Sequence, residues 1–314
     1  MTPLKLIIDT DPGQDDAVAI LLALAERERI ELLGITTVAG NAPVEMTTVN
    51  ALRILELARR PEVPVFRGAS RPLLRPLLTG QFICGADGLD GAALPRPSKM
   101  PHDRHAVSFL IETLRSAADR SITICALAPL TNLALAFAQA PELAVKIDRI
   151  VMMGGARDLG NITPAAEFNF YVDPHSAHIV LTLGVPIVML GLHATHQALA
   201  TPDRLAPIAA LDNAVSSAVM GMMTRPRPGG RARFGVEAHP LHDPCTVAYL
   251  LWPEIFPSRA CAVTVEVASE ETIGRSTIDW WGSGKRKPNA EVVERIDAEE
   301  LFTRLARSLA KLDR

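Results

Sequence analysis

Asp9, Asp11, Asp15 and Asp16 place four carboxylates within eight residues. They follow an apolar stretch, Leu4 to Ile8, flank a Pro12-Gly13 turn, and precede an apolar helical run, Ala17 to Ala25. In a parallel sheet this is the carboxyl end of a first strand, where open α/β proteins place ligands. Carboxylates this close repel one another unless a positive charge sits among them. A hard, oxygen-seeking cation suits the set, because no Cys or His stands nearby to favour a softer metal. Helix capping by Asp15 or Asp16 accounts for one or two of the four and leaves the others unexplained.

The other polar residues that collect at predicted strand ends are Asn41, Asn161, Glu167, Asn169, His242 and Asp243. Carboxylates and amides with one histidine and no lysine suit a divalent cation and the hydroxyls of a sugar. No G-x-S-x-G elbow, P-loop or G-x-G-x-x-G occurs, which removes support for a serine nucleophile, a nucleoside triphosphate or a dinucleotide. The eight histidines fall in pairs three apart (His102/His105, His175/His178, His193/His196, His239/His242). None carries H-E-x-x-H and no cysteine cluster completes a zinc site, so only His242, beside Asp243, draws a chemical role.

Elements must hold these residues together. Ile30 to Val38, Val63 to Phe66, Ile122 to Leu127, Ile147 to Met153 and Pro186 to Leu190 read as buried strands alternating with helical stretches, the pattern of βαβ units and a parallel sheet. Asp173-Pro174 predicts a helix capped by Asp with Pro at its first position. Thr201 to Met223 reads as one helical region, Cys261 to Val267 and Ser276 to Trp281 as short strands, Glu291 to Ile296 as the last strand, and Asp297 to Leu312 as the terminal helix. Ser70 to Pro101 is a long Pro- and Gly-rich connection, and loops of that length are often functional. Without a repeat or a splitting linker, residues 1–314 read as a single domain. A 48% hydrophobic content with only 4% aromatics predicts an aliphatic core. A net charge of -3 predicts no nucleic-acid partner. No apolar run is long enough to predict a membrane span. No signal peptide is visible and the four cysteines are scattered, which together predict a cytoplasmic protein with reduced thiols.

The blocks become specific when read together. Asp9-Thr10-Asp11-Pro12-Gly13-Gln14-Asp15-Asp16-Ala17 resembles the DTDPGxDDA signature of the inosine–uridine preferring nucleoside hydrolases. Asn41, Pro129-Leu130-Thr131-Asn132, the run from Gly160 to Pro174, Leu241-His242-Asp243-Pro244 and Gly274 to Asp279 are similar to its later blocks in the same order. The resemblance covers nearly the whole chain. It implies an α/β fold, an open, mostly parallel Rossmann-like sheet flanked by helices, with the active site at the carboxyl ends of the strands. It implies Ca²⁺ held by Asp11, Asp16, Asp243 and the backbone carbonyl of Leu127, with Asp11 taking a proton from a water on the ion. Asp15, Asn41, Asn161, Glu167 and Asn169 are then expected to hold ribose hydroxyls, and Asp9 to support the ligands from behind. The implied reaction is hydrolysis of a ribonucleoside N-glycosidic bond, purine or pyrimidine, such as inosine or uridine, through an oxocarbenium-like transition state. His242 is expected to contact the departing base. The resemblance also implies a homotetramer or homodimer.

Two segments depart from the family's pattern. Where many relatives carry HGxxGL, this chain has Cys84-Gly85-Ala86-Asp87-Gly88-Leu89, so base contacts of that histidine do not carry over. Where relatives have tyrosines before the HDP block, this chain has Arg225, Arg227, Arg231, Arg233 and Phe234. Two other readings compete. An Asp-x-Asp phosphatase or dehalogenase-like hydrolase also places two aspartates after a first strand, but wants a later lysine and acidic pair. A non-catalytic nucleoside or ribose binder would have no need of Asp11 as a base.

Overall fold

The computed structural model describes residues 2–85, 87–225, 232 and 234–313. Its centre is β1 (Leu4–Thr10), which pairs in parallel with β2 (Ile30–Thr37) on one side and β4 (Ile122–Ala126) on the other. With β3 (Val65–Arg67), β5 (Ile147–Met153), β6 (Ile187–Leu190), β7 (Ser258–Cys261) and β10 (Ala290–Val293), they form an eight-stranded sheet in the order β3-β2-β1-β4-β5-β6-β10-β7. Only β7 runs against its neighbour. The chain reverses its direction of winding between β1 and β4, and the crevice at such a switch point is where doubly wound sheets bind ligands. Two further short strands, β8 (Val263–Val265) and β9 (Ser276–Ile278), pair as a separate ribbon.

Successive side chains of β1 point to opposite faces, and both faces are covered. Leu6 and Ile8 enter one core, with α1 (Gln14–Ala25), α2 (Val44–Leu57) and the terminal helix Ala298–Leu309; Ile7 enters the other, with Ala106–Ser116 and Thr131–Gln139. Burial on both sides is why these strands read as unbroken apolar runs rather than alternating ones. Because α1 itself lies sandwiched between layers, every residue from Ala17 to Ala25 is buried.

Several boundaries differ from the sequence expectation. The first helix starts at Gln14 rather than Ala17, since Asp16 closes its amino end by accepting from the Gly13 N–H at 3.0 Å. The span from Thr201 to Met223 is two helices, Pro202–Ala209 and Ala214–Met223, separated at Asp212 by a left-handed φ of 47°. Asn213 then recaps the second through Ser216. Strand β7 was not foreseen. Its four residues, of mixed polarity and with only Cys261 buried, carry no periodic signal, and pairing with β10 is what makes them a strand. Asp173 does cap Pro174–Leu181, accepting from Ser176 N at 3.1 Å. The long connection after β3 holds a short helix, Gln81–Cys84, among the described residues. No described helix is long and apolar enough to cross a membrane.

Candidate active site

The carboxyl end of β1, the turn after it and the first turn of α1 deliver four of the site's carboxylates, and the others come from the segment after β5 and from the residues just ahead of the helix Pro244–Leu251. Asp9 and Thr10 end β1, and Asp11 opens the turn into α1. Asp11 is 1% exposed; its Oδ2 accepts from Asn41 N at 2.6 Å, while its Oδ1 is buried without a hydrogen-bond partner. Gly40 permits that contact, since a Cβ there would lie 2.0 Å from Asp11 Oδ2. Asp16 gathers four donors: Thr10 hydroxyl at 2.5 Å and Asp11 N at 3.3 Å on Oδ1, Gly13 N at 3.0 Å and Asn41 Nδ2 at 3.1 Å on Oδ2. The capping role suspected for Asp15 or Asp16 therefore belongs to Asp16, which also faces Asp243. Carboxylate oxygens of Asp15, Asp16 and Asp243 lie within 4.8 Å of one another, the group of described residues able to hold a metal ion together. Asp243 reaches this point from a segment more than two hundred residues away, just ahead of the helix Pro244–Leu251.

The electrostatics of this cluster are unfavourable without a cation. Burial, and then the neighbouring charge of Asp15, pushes Asp16 up to about 6. Burial, and then Asp16, holds Asp11 well above the ordinary carboxylate range; burial and the charges of Asp15, Asp16 and Asp11 do the same to Asp243. The donor set is oxygen only, and Asp11 Oδ1 is a buried carboxylate oxygen with no hydrogen-bond partner. Both features fit a hard divalent ion, whose charge would hold all four groups ionised. The cluster found by proximity contains Asp15 in place of the expected Asp11, and Asp11 stands at its edge as the carboxylate with an unengaged oxygen.

Behind the cluster, Asp9 is fully buried. Its Oδ1 accepts from the Thr36 hydroxyl at 2.5 Å and from Asn132 Nδ2 at 2.8 Å, and burial still pushes its pKa up to about 6. Register explains the first contact, because Asp9 pairs with Thr36 across β1 and β2. Asn132 also donates to the Thr37 carbonyl at 3.0 Å and accepts from Ala69 N at 2.9 Å, tying three strand ends together. The Pro-Leu-Thr-Asn block that contains Asn132 is visible in the sequence, but its link to Asp9 spans 123 residues and is not. Asn132→Ala strips three hydrogen bonds from buried partners and should cost about 2–4 kcal/mol of stability in urea unfolding. A loss under about 0.5 kcal/mol would show that the amide does not hold these strand ends. A fully buried Asp9 with one oxygen already engaged is badly placed to attack a phosphate, and the phosphatase-like reading loses its nucleophile.

The opposite wall comes from the segment after β5. Glu167 caps the short helix Phe168–Val172: Oε1 accepts from Asn169 N at 2.8 Å, Oε2 from Gly155 N at 2.9 Å and Phe170 N at 3.1 Å. Burial pushes Glu167 up to about 7 against these backbone donors. Asn169 Nδ2 donates to the carbonyls of Leu127 (2.8 Å) and Met153 (3.1 Å), joining the ends of β4 and β5. Asn161 Oδ1 accepts from Phe168 N at 2.9 Å and closes the loop. The expected ribose ligands thus also build the local fold. Ser276, on the ribbon, both donates to and accepts from the Ala156 backbone at 2.7 Å, so the C-terminal block braces this wall.

His242 Nδ1 lies 2.7 Å from the Thr195 hydroxyl, its ring 5.6 Å from that of His196, which meets Phe234 edge-on at 5.1 Å. Of the arginines before the HDP block, Arg225 pairs with Asp90 at 3.0 Å; Arg227, Arg231 and Arg233 lie outside the described residues, as does the side chain of Cys84. The paired histidines do not gather as a metal site among the described residues: His105 caps its own helix through Val107 N, and His193 Nε2 lies 2.9 Å from the Val293 carbonyl.

The acidic, metal-suited cluster thus sits at the switch point of a doubly wound sheet, where such folds bind ligands. The profile of the inosine-uridine preferring nucleoside hydrolases matches residues 6–303, and the chain belongs to that family. The chain is 48% identical, over 98% of its length and all of the relative's, to an uncharacterized protein of Schizosaccharomyces pombe. It is 44% identical to the pyrimidine-specific ribonucleoside hydrolase RihA of Shewanella sp. strain MR-7, covering 97% of this chain and 96% of the relative. Among solved structures, a purine-preferring ribonucleoside hydrolase from Gardnerella vaginalis superposes with a TM-score of 0.90 at 29% identity, over 98% of each chain. The chain is a ribonucleoside hydrolase in fold and family.

Proposed function

We propose that this protein hydrolyses the N-glycosidic bond of ribonucleosides with the help of Ca²⁺, and that pyrimidine ribonucleosides are its better substrates. The observations that carry the reading are the close approach of the Asp15, Asp16 and Asp243 carboxylate oxygens and the buried, unpartnered Oδ1 of Asp11, whose charge acts on Asp243. Asp11, Asp16, Asp243 and the Leu127 carbonyl would hold the ion, with Asp15 within reach of both ion and sugar. When bound, the ion supplies Lewis acidity that acidifies water and orients ribose hydroxyls. Asp11 accepts a proton from the attacking water. Asp15, Asn41, Asn161, Glu167 and Asn169 bind the ribose hydroxyls, and the buried carboxylates favour the positive charge that develops on the sugar more than they favour the neutral substrate. The new bond joins water oxygen to the anomeric carbon, and the electron pair of the broken C–N bond leaves with the base, which His242 contacts.

Pyrimidine preference is supported by the 44% identity to enzymes named pyrimidine-specific, against 29% to one named purine-preferring. A panel of uridine, cytidine, inosine and adenosine, each with and without chelator, tests both parts. The expected result is a kcat/KM at least about tenfold higher for uridine or cytidine, lost with chelator. Equal or better turnover of inosine would remove the preference, and no turnover of any of the four by the calcium-loaded protein would remove the activity. We take the working form to be a homodimer or homotetramer, which light scattering on the purified protein decides.

A further inference from the structure

We propose that Thr195 is a positioning residue that fixes His242 in one tautomer, with the hydrogen on Nε2, so that the imidazole presents a hydrogen-bond donor to an acceptor atom of the departing base. The inference rests on the reading that His242 contacts the base, and it adds a residue and a proton position to it.

Thr195 ends a single helical turn, Leu192–Thr195, directly after β6, and is fully buried. Its hydroxyl has two neighbours to choose between. His242 Nδ1 is 2.7 Å away, whereas the Gly191 carbonyl is 3.4 Å away. That carbonyl already accepts the N–H groups of Ala194 at 3.0 Å and Thr195 at 3.1 Å. A carbonyl oxygen offers two lone pairs, both then engaged, so the hydroxyl hydrogen goes to the shorter and better acceptor, Nδ1. An imidazole that accepts at Nδ1 carries its hydrogen on Nε2 when neutral. The ring is also held laterally, with His196 5.6 Å from it and Phe234 beyond. His242 directly precedes Asp243, a member of the acidic cluster, so its backbone is anchored at the edge of the site.

The chemistry gives this donor a purpose. A base that departs with the electron pair of the C–N bond carries negative charge on its ring nitrogen and carbonyl oxygen. A neutral Nε2–H stabilises that charge by hydrogen bonding without transferring its own proton, and solvent supplies the proton afterwards. A rotated or Nδ1-protonated ring would present a lone pair to the same atoms and repel them.

Two measurements test the assignment. Histidine ¹⁵N long-range correlation spectra at about pH 8, with the His242 signals assigned by their absence in His242→Asn, should show a bare Nδ1 and a protonated Nε2. A protonated Nδ1 would overturn the assignment. Kinetics of Thr195→Val should show kcat for uridine down about tenfold with KM within about twofold, roughly one buried hydrogen bond. Turnover of p-nitrophenyl riboside, whose phenolate leaves without such help, should change by less than about twofold, and Thr195→Ser should recover most of the loss on uridine. Equal losses on both substrates, or a Thr195→Ser as slow as Thr195→Val, would reduce Thr195 to a packing residue. If the wild-type protein hydrolysed no ribonucleoside, the functional reading would fail while the tautomer could still be read from the spectra.

Discussion

Asp11→Asn should fold, melt at a higher temperature than the wild type in chelator, and turn over its best ribonucleoside about a thousandfold more slowly. The three expectations share one cause. Asp11 is buried beside Asp16 and Asp243, and its charge raises the free energy of the metal-free protein. An amide of the same shape removes that charge, keeps an oxygen for the Asn41 N–H now 2.6 Å from Oδ2, and so relieves repulsion without opening a cavity. The amide cannot accept a proton from water, and a positioned general base is commonly worth about 10²–10⁴ in rate. Melting in chelator and steady-state kinetics with saturating calcium separate the two effects. A kcat within about tenfold of wild type would show that another group takes the proton, and an unchanged melting temperature would show that the buried charge is neutralised in some other way.

Calcium should stabilise the protein strongly near neutrality and weakly in acid. Ordinary aspartates lose their protons near pH 4, whereas burial holds Asp16 at about 6 and holds Asp11 and Asp243 well above the ordinary carboxylate range. The metal-free folded chain therefore binds more protons than the unfolded chain across this window, and its stability falls as the pH rises from about 4 through about 6. Calcium needs the same carboxylates ionised, so its contribution is complete above the window and is lost as the pH falls through it. At a free calcium concentration about one hundred times Kd the stabilisation should be about 2.7 kcal/mol. Differential scanning fluorimetry with calcium or chelator, at about pH 7.5 and about pH 5, reads both ends of the window. A calcium-induced rise in melting temperature as large in acid as at neutrality would mean that the ion binds elsewhere. No rise at either pH, with activity intact in chelator, would remove calcium from the function.

Much of the fold was legible because its signals are local. Apolar runs bounded by Pro, Gly and Asp mark the parallel strands wherever both faces are buried, and Asp173-Pro174 announces its helix by capping chemistry confined to a few residues. Local chemistry also marked the acidic turn, since four carboxylates in eight residues need explaining in any fold. Strand β7 carried no such signal: Ser-Arg-Ala-Cys becomes a strand by pairing with β10, thirty residues later. The break at Asp212 was hidden as well, because a single residue with positive φ interrupts an otherwise helical composition.

Which carboxylate does what was decided by tertiary structure. The sequence by itself determined that Asp9, Asp11, Asp15 and Asp16 sit at the end of a buried strand and that a cation suits them, because repulsion between neighbours in the chain needs no fold to be evaluated. It could not divide their labour. Thr36, Asn132 and Asp243 lie 27, 123 and more than two hundred residues from the aspartates they face. Only the packing of β2, β4 and the segment before the helix Pro244–Leu251 around the end of β1 engages Asp9, adds Asn41 to the three local donors of Asp16, brings Asp243 to it and leaves Asp11 Oδ1 without a hydrogen-bond partner. Hydrogen bonds and charges act over a few ångströms, and it is the fold that brings distant residues within that range.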